Sequence, residues 1–119
     1  MNKNSNIGFI GLGNMGKPIF DNLNKEFSNI YCYDKDTSKL KKNNFLSTLD
    51  EIFEKCKIII FCIESNDQII DIIKENKIKK NTIIIDLTSS LPELSNKISS
   101  YLKKFESHYI DAGMSGGAT

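Results

Sequence analysis

The run Ile7-Gly8-Phe9-Ile10 leads straight into Gly11-Leu12-Gly13-Asn14-Met15-Gly16, and this glycine spacing constrains the fold more than any other feature of the chain. It calls for a strand that turns sharply into a helix. Gly11 permits the tight turn, Gly13 lets backbone approach a phosphate with no Cβ in the way, and Gly16 lets the helix pack closely on the strand. The unpaired N–H groups and positive dipole end at the start of that helix attract anions without needing a basic side chain. Alone, a G-x-G-x-x-G pattern is a weak signal. It becomes a dinucleotide cradle when a strand precedes it, a helix follows it and an acidic residue stands about 20 residues further on.

All three surroundings are present. Pro18 falls in the first turn of the following helix, where its missing N–H does no harm, and Ile19, Phe20, Leu23 and Phe27 give an apolar face at helical spacing, so a helix is expected from about Met15 to Glu26. A second strand is expected over Asn29-Ile30-Tyr31-Cys32-Tyr33, with Asp34 at its carboxyl end, 18 residues after Gly16. In a dinucleotide cradle this carboxylate accepts hydrogen bonds from the adenosine ribose. The plainer alternative is that Asp34 opens a turn with Lys35-Asp36-Thr37. The coincidence of strand, glycines, helix and acid in one βαβ unit favours the first reading. The cofactor-binding candidates are Gly11, Leu12, Gly13, Asn14, Met15, Gly16, Asp34, Lys35, Ile63 and Ser89.

Strands and helices keep alternating beyond this unit. Phe45-Leu46 has the character of a short edge strand, and Leu49, Ile52, Phe53 and Cys56 mark a helix capped by Ser47 or Thr48, with Glu51 placed for a capping box. Lys57 to Ile63 and Thr82 to Leu87 are continuous apolar runs, the mark of strands buried on both faces. Ile69, Ile70, Ile72 and Ile73 give a helix between them. Leu94, Ile98, Tyr101, Leu102 and Phe105 give another, with Ser90 as a candidate cap and Pro92 and Glu93 in its first turn. The last strand, His108-Tyr109-Ile110, ends at Asp111. This order implies one α/β domain, a Rossmann-type doubly wound parallel sheet with strand order 3-2-1-4-5-6. Ligands of such sheets bind at the carboxyl ends of the strands. His108 precedes its strand, so it stands at the wrong end for chemistry.

Composition narrows the function classes. The 119 residues suffice for one core, and the formal net charge of +1 with scattered lysines argues against nucleic acid as a partner; Lys74 to Lys80 reads as a solvated turn. The longest apolar run, Ile58 to Ile63, is too short to cross a bilayer and Met1 to Asn6 is polar, so the expectation is a cytoplasmic protein with no membrane partner. Cys32, Cys56 and Cys62 form no C-x-x-C pair and are expected as small buried hydrophobes, with neither disulfide nor metal.

Gly8 to Gly16, with Asn22-Leu23 behind it, resembles the N-terminal signature of the β-hydroxyacid dehydrogenases, a family that includes 3-hydroxyisobutyrate dehydrogenase, tartronate semialdehyde reductase and 6-phosphogluconate dehydrogenase. The closing Asp111-Ala112-Gly113-Met114-Ser115-Gly116-Gly117 is similar to the family's D-A-P-V-S-G-G substrate loop, although Gly113-Met114 stand in place of Pro-Val. Asp86-Leu87-Thr88-Ser89-Ser90-Leu91-Pro92 resembles the D-x-S-T-x-x-P segment of the 3-hydroxyisobutyrate branch, where the 6-phosphogluconate branch usually shows D-G-G-N-S. The resemblance covers essentially the whole chain.

It implies an NAD(P)-binding domain over residues 1–119, with 112–119 opening the substrate loop, that serves hydride transfer between nicotinamide and a small 3-hydroxy acid or semialdehyde. NAD is the expected cofactor and NADP the less favoured one. Ser115, Gly116 and Gly117 become substrate-binding candidates, while Thr88 and Ser89 belong either near the nicotinamide ribose or at an ordinary helix cap. Departures accompany the match: Ile19-Phe20 stand where Met and a small residue are common, and Glu64 where Pro is frequent. No lysine matches the family's catalytic G-x-x-x-K-x-x-N segment, which lies in a following helical domain together with most of the dimer interface. No catalytic residue is therefore assigned, and a homo-oligomer is expected only with that domain. The alternatives are a non-catalytic nucleotide-binding module and the cofactor domain of a 6-phosphogluconate dehydrogenase or imine-reductase relative.

Overall fold

The computed structural model describes residues 4–13, 15–35, 47–65, 67–88 and 91–113. Five strands form one parallel sheet: β1 (Ile7–Ile10), β2 (Ile30–Tyr33), β3 (Ile58–Phe61), β4 (Ile83–Asp86) and β5 (His108–Asp111). Four helices connect them, α1 (Gly16–Glu26), α2 (Leu49–Lys55), α3 (Asp67–Glu75) and α4 (Pro92–Lys103). The order across the sheet is β2-β1-β3-β4-β5. This corrects the six-strand order 3-2-1-4-5-6. The expected extra edge strand at Phe45-Leu46 lies outside the described residues, and the remaining five strands keep the relative order expected of them. At the described end of that connection Ser47 N donates to Cys32 O at 2.8 Å, a single bond on the outer edge of β2.

Side-chain alternation along the strands builds two cores, one on each face. Ile7 and Phe9 of β1, Ile30 and Cys32 of β2 and Ile60 of β3 pack with Phe20 of α1 on one side. Ile10, Ile59, Phe61 and Ile84 face the other way and meet Ile52 and Phe53 of α2, Ile69 and Ile73 of α3, and Ile98 and Leu102 of α4. One helix therefore covers the first face and three cover the second. α2 comes close to the sheet because Gly8 has no side chain, and a Cβ there would strike Ile52 Cγ2.

The helix ends follow local chemistry. Thr48 caps α2 with a complete capping box: its hydroxyl accepts from Glu51 N at 3.1 Å, and the Glu51 carboxylate accepts from Thr48 N at 3.4 Å. At α4 the expected cap, Ser90, lies outside the described residues; Leu91 occupies the N-cap without a side-chain bond, and Pro92 begins the helix. Among the described residues, no helix is long and apolar enough to cross a membrane.

Candidate functional site

Because every strand is parallel, their carboxyl ends share one edge, and the loops that leave them are stitched together there. Gly11 N donates to Tyr33 O, Cys62 N to Ile10 O and Ala112 N to Asp86 O, carrying the ladder one step beyond the strands. The glycine turn sits at the middle of this edge, between β2 and β3.

Its three glycines have distinct surroundings. Gly11 holds φ +105, and a Cβ on it would strike the carbonyl of Cys62, so only glycine fits. A Cβ on Gly16 would strike Gly11 O, because α1 begins directly against the turn. Gly13 is the opposite case: among the described residues nothing lies within 4 Å of where its Cβ would stand. Two glycines thus serve packing, and the third opens onto space.

α1 begins beside that opening with Met15 as N-cap, no side-chain cap and no acid in its first turn, whereas α2, α3 and α4 each carry one there. Its positive dipole end is therefore not neutralised by its own side chains. Asp34 leaves β2 on the same edge, and its Oδ2 accepts from Leu12 N at 2.6 Å. The acid thus ties the turn to the end of β2. Open backbone at Gly13, an uncapped helix start and a carboxylate at the end of β2 fit a dinucleotide with its pyrophosphate at the turn and its ribose at the acid.

The other sequence-derived candidates fall into place unevenly. Met15 and Lys35 are exposed, while the Leu12 side chain is buried in the core against α1, so only its backbone takes part in the turn. Ile63 is half-buried, and its Cγ2 abuts Gly11. Asn14, Ser89, Ser115, Gly116 and Gly117 lie outside the described residues. The Thr88 side chain is buried, and its Oγ1 accepts from Ile63 N at 3.1 Å. His108 is exposed at the amino end of β5, away from the crevice.

Two features escaped the sequence reading. Cys62 lies directly beneath the glycine turn and supplies the carbonyl that Gly11 must clear. Asp86 is fully buried at the end of β4, accepting from Thr88 N at 2.8 Å and from Tyr109 OH at 2.5 Å. Burial pushes its carboxyl above the usual range, bonds from Tyr109 and Thr88 pull it back, and the Asp111 charge adds to the rise. Burial likewise raises the Cys62 thiol, with Asp86 adding its charge, and pushes Cys32 to about 11 and Cys56 to about 12, so all three stay protonated at neutral pH. An acid closing an Ile-Ile-Ile strand was the available signal for Asp86. Among the described residues, no cluster of three or more His, Cys, Asp or Glu could hold a metal ion.

A glycine turn so arranged on a parallel sheet, with an acid on the neighbouring strand, defines a dinucleotide-binding α/β domain. Residues 6–119 match the family described as the NAD binding domain of 6-phosphogluconate dehydrogenase, and the chain belongs to that family. It is 31% identical to mitochondrial 3-hydroxyisobutyrate dehydrogenase of Mus musculus over 93% of this chain and 36% of that protein. It is 30% identical to 2-(hydroxymethyl)glutarate dehydrogenase of Eubacterium barkeri over 98% of this chain and 42% of that protein. The chain thus spans well under half the length of these relatives. In fold it is similar to the 3-hydroxyisobutyrate dehydrogenase of Mycobacterium tuberculosis solved with L-serine, at TM-score 0.80 and 15% identity over 89% of this chain and 40% of that one. A reductive aminase of Aspergillus terreus, solved with NADPH and ethyl levulinate, superposes at TM-score 0.79 and 15% identity over 89% of this chain and 39% of that one.

Proposed function

We propose that this chain is the cofactor-binding part of an NAD-dependent dehydrogenase acting on a small 3-hydroxy acid or its semialdehyde. The observation that carries the reading is the contrast among the glycines: Gly11 and Gly16 are closed in by backbone, and Gly13 alone is left open where a pyrophosphate has to pass. A bound nicotinamide dinucleotide supplies hydride transfer. The backbone at Gly13 and the start of α1 hold its phosphates, Asp34 its adenosine ribose, and Ile63 excludes water beside the turn. Met15 and Lys35 line the approach, and the family resemblance alone assigns Asn14 to the same turn and Ser89 to the nicotinamide ribose. Ser115, with the N–H groups of Gly116 and Gly117, holds the substrate carboxylate or hydroxyl, glycine allowing the backbone to come close enough to donate. The segment Asp86 to Pro92 favours the 3-hydroxyisobutyrate branch over the 6-phosphogluconate branch.

NAD is preferred over NADP because a 2′-phosphate would face the Asp34 carboxylate. Two unit charges at about 4 Å repel by up to about 4 kcal/mol at an effective dielectric near 20, before screening. Lys35 offsets part of this, but it lacks the planar fork of arginine, and the chain contains no arginine. The test compares dissociation constants of both cofactors in the wild type and in Asp34→Ser. The wild type is expected to favour NAD, with the preference shrinking in the variant; equal or tighter NADP binding by the wild type overturns the role given to Asp34.

A further inference from the structure

The buried Asp86 anchors a hydrogen-bonded chain that touches the loops after β3, β4 and β5 together. On one side its Oδ1 accepts from Thr88 N, and Thr88 Oγ1 accepts from Ile63 N, the residue packed on Gly11. On the other side Oδ2 accepts from Tyr109 OH of β5. Two residues along the same strand, Asp111 Oδ2 accepts from Ser95 of α4 at 3.1 Å and Oδ1 accepts from Gly113 N at 3.1 Å; Ser95 Oγ also lies 3.4 Å from Tyr109 OH. Gly113 is the first glycine of the segment that runs on to Ser115, Gly116 and Gly117.

A fully buried carboxylate is an expensive way to fill the end of an isoleucine strand, since desolvation opposes its charge and an apolar side chain would pack there without that penalty. Satisfied buried networks fix one geometry among several that packing alone would permit. Here the geometry fixed is the height of Ile63 beside the glycine turn relative to β5, which leads into Ala112 and Gly113. We propose that Asp86 and Tyr109 are positioning residues that set the loop after β3, beside the glycine turn, against the start of the loop that leaves β5 at Ala112 and Gly113. This rests on the dinucleotide-binding reading above. Neither residue needs to touch the cofactor: Asp86 is fully buried, and Tyr109 acts through it.

Tyr109→Phe removes only the hydroxyl and leaves the ring to pack, so it tests the chain with little disturbance. Asp86→Asn keeps the shape but presents an NH2 group to one of the two donors that now meet the carboxylate, breaking one arm. NADH fluorescence titration reads the effect cleanly because the chain has no tryptophan, and urea unfolding of the same samples reads the fold. Tyr109→Phe is expected to weaken NADH binding by about threefold or more in a protein that still folds, although two strands lie between the substitution and the glycine turn. Adding Asp86→Asn is expected to weaken it little further, because both act through one chain. If Tyr109→Phe lowers the urea midpoint yet binds NADH as the wild type does, the network is structural only and the proposal is overturned. If Asp86→Asn does not fold, Tyr109→Phe alone decides. Failure of the wild type itself to bind NADH overturns the dinucleotide reading and this inference with it, and is told apart because no variant is needed to see it.

Discussion

At the residue scale, the glycine motif separates into two positions closed in by backbone and one that stands open. Gly11→Ala forces a side chain into a positive φ and against the Cys62 carbonyl, and Gly16→Ala forces one against Gly11 O. Each is expected to lower the unfolding free energy by about 2 kcal/mol or more, whereas Gly13→Ala is expected to stay within about 0.5 kcal/mol of the wild type. Urea midpoints of the three variants check this. The tight turn at Gly11 and the close helix packing at Gly16 were legible in the sequence because the spacing itself encodes them. What was not legible was the double duty of Asp34: a carboxylate at the end of β2 is visible in the chain, but its bond to Leu12 N depends on how the turn folds back over that strand. The buried side chain of Leu12 and the inward hydroxyl of Thr88 were hidden for the same reason, since loop residues reveal their type in sequence but not their direction.

At the element scale, the strongest local signals are the caps and the periodicities. The spacing of Thr48 and Glu51 announces the start of α2, and the structure closes both bonds of the box. Removing the hydroxyl with Thr48→Ala is expected to cost about 1 kcal/mol of stability, read as a fall in the urea or thermal midpoint. Glu51→Gln is expected to cost less, because the amide oxygen can still accept from Thr48 N. The start of α4 was harder to place. Pro92 marks it, but Ser90 is the better capping residue by chemistry, and it is Leu91 that takes the N-cap position since proline at the first helical residue fixes the residue before it as extended. The contact between Gly8 and Ile52 shows the limit of strand reading: a glycine in an apolar run signals close approach, but not of which helix.

At the scale of the whole molecule, alternation of strand and helix fixed the parallel sheet, and right-handed crossovers gave the relative order of the five strands now seen. The sixth strand of the expected order rested on Phe45-Leu46, which lies outside the described residues. The division of the core into two faces was legible from the isoleucine runs; the link through Asp86 and Tyr109, which depends on residues 23 apart in sequence meeting across two strands, was not. The central claim is that this sheet edge holds a nicotinamide dinucleotide through the open backbone at Gly13. The most direct measurement is calorimetric titration of the 119-residue chain with NADH, for the wild type and Gly13→Val, with unfolding midpoints on the same samples. Saturable binding by the wild type and its loss in a Gly13→Val variant that remains folded are the expected results. No binding by the wild type, or undiminished binding by folded Gly13→Val, would contradict the claim.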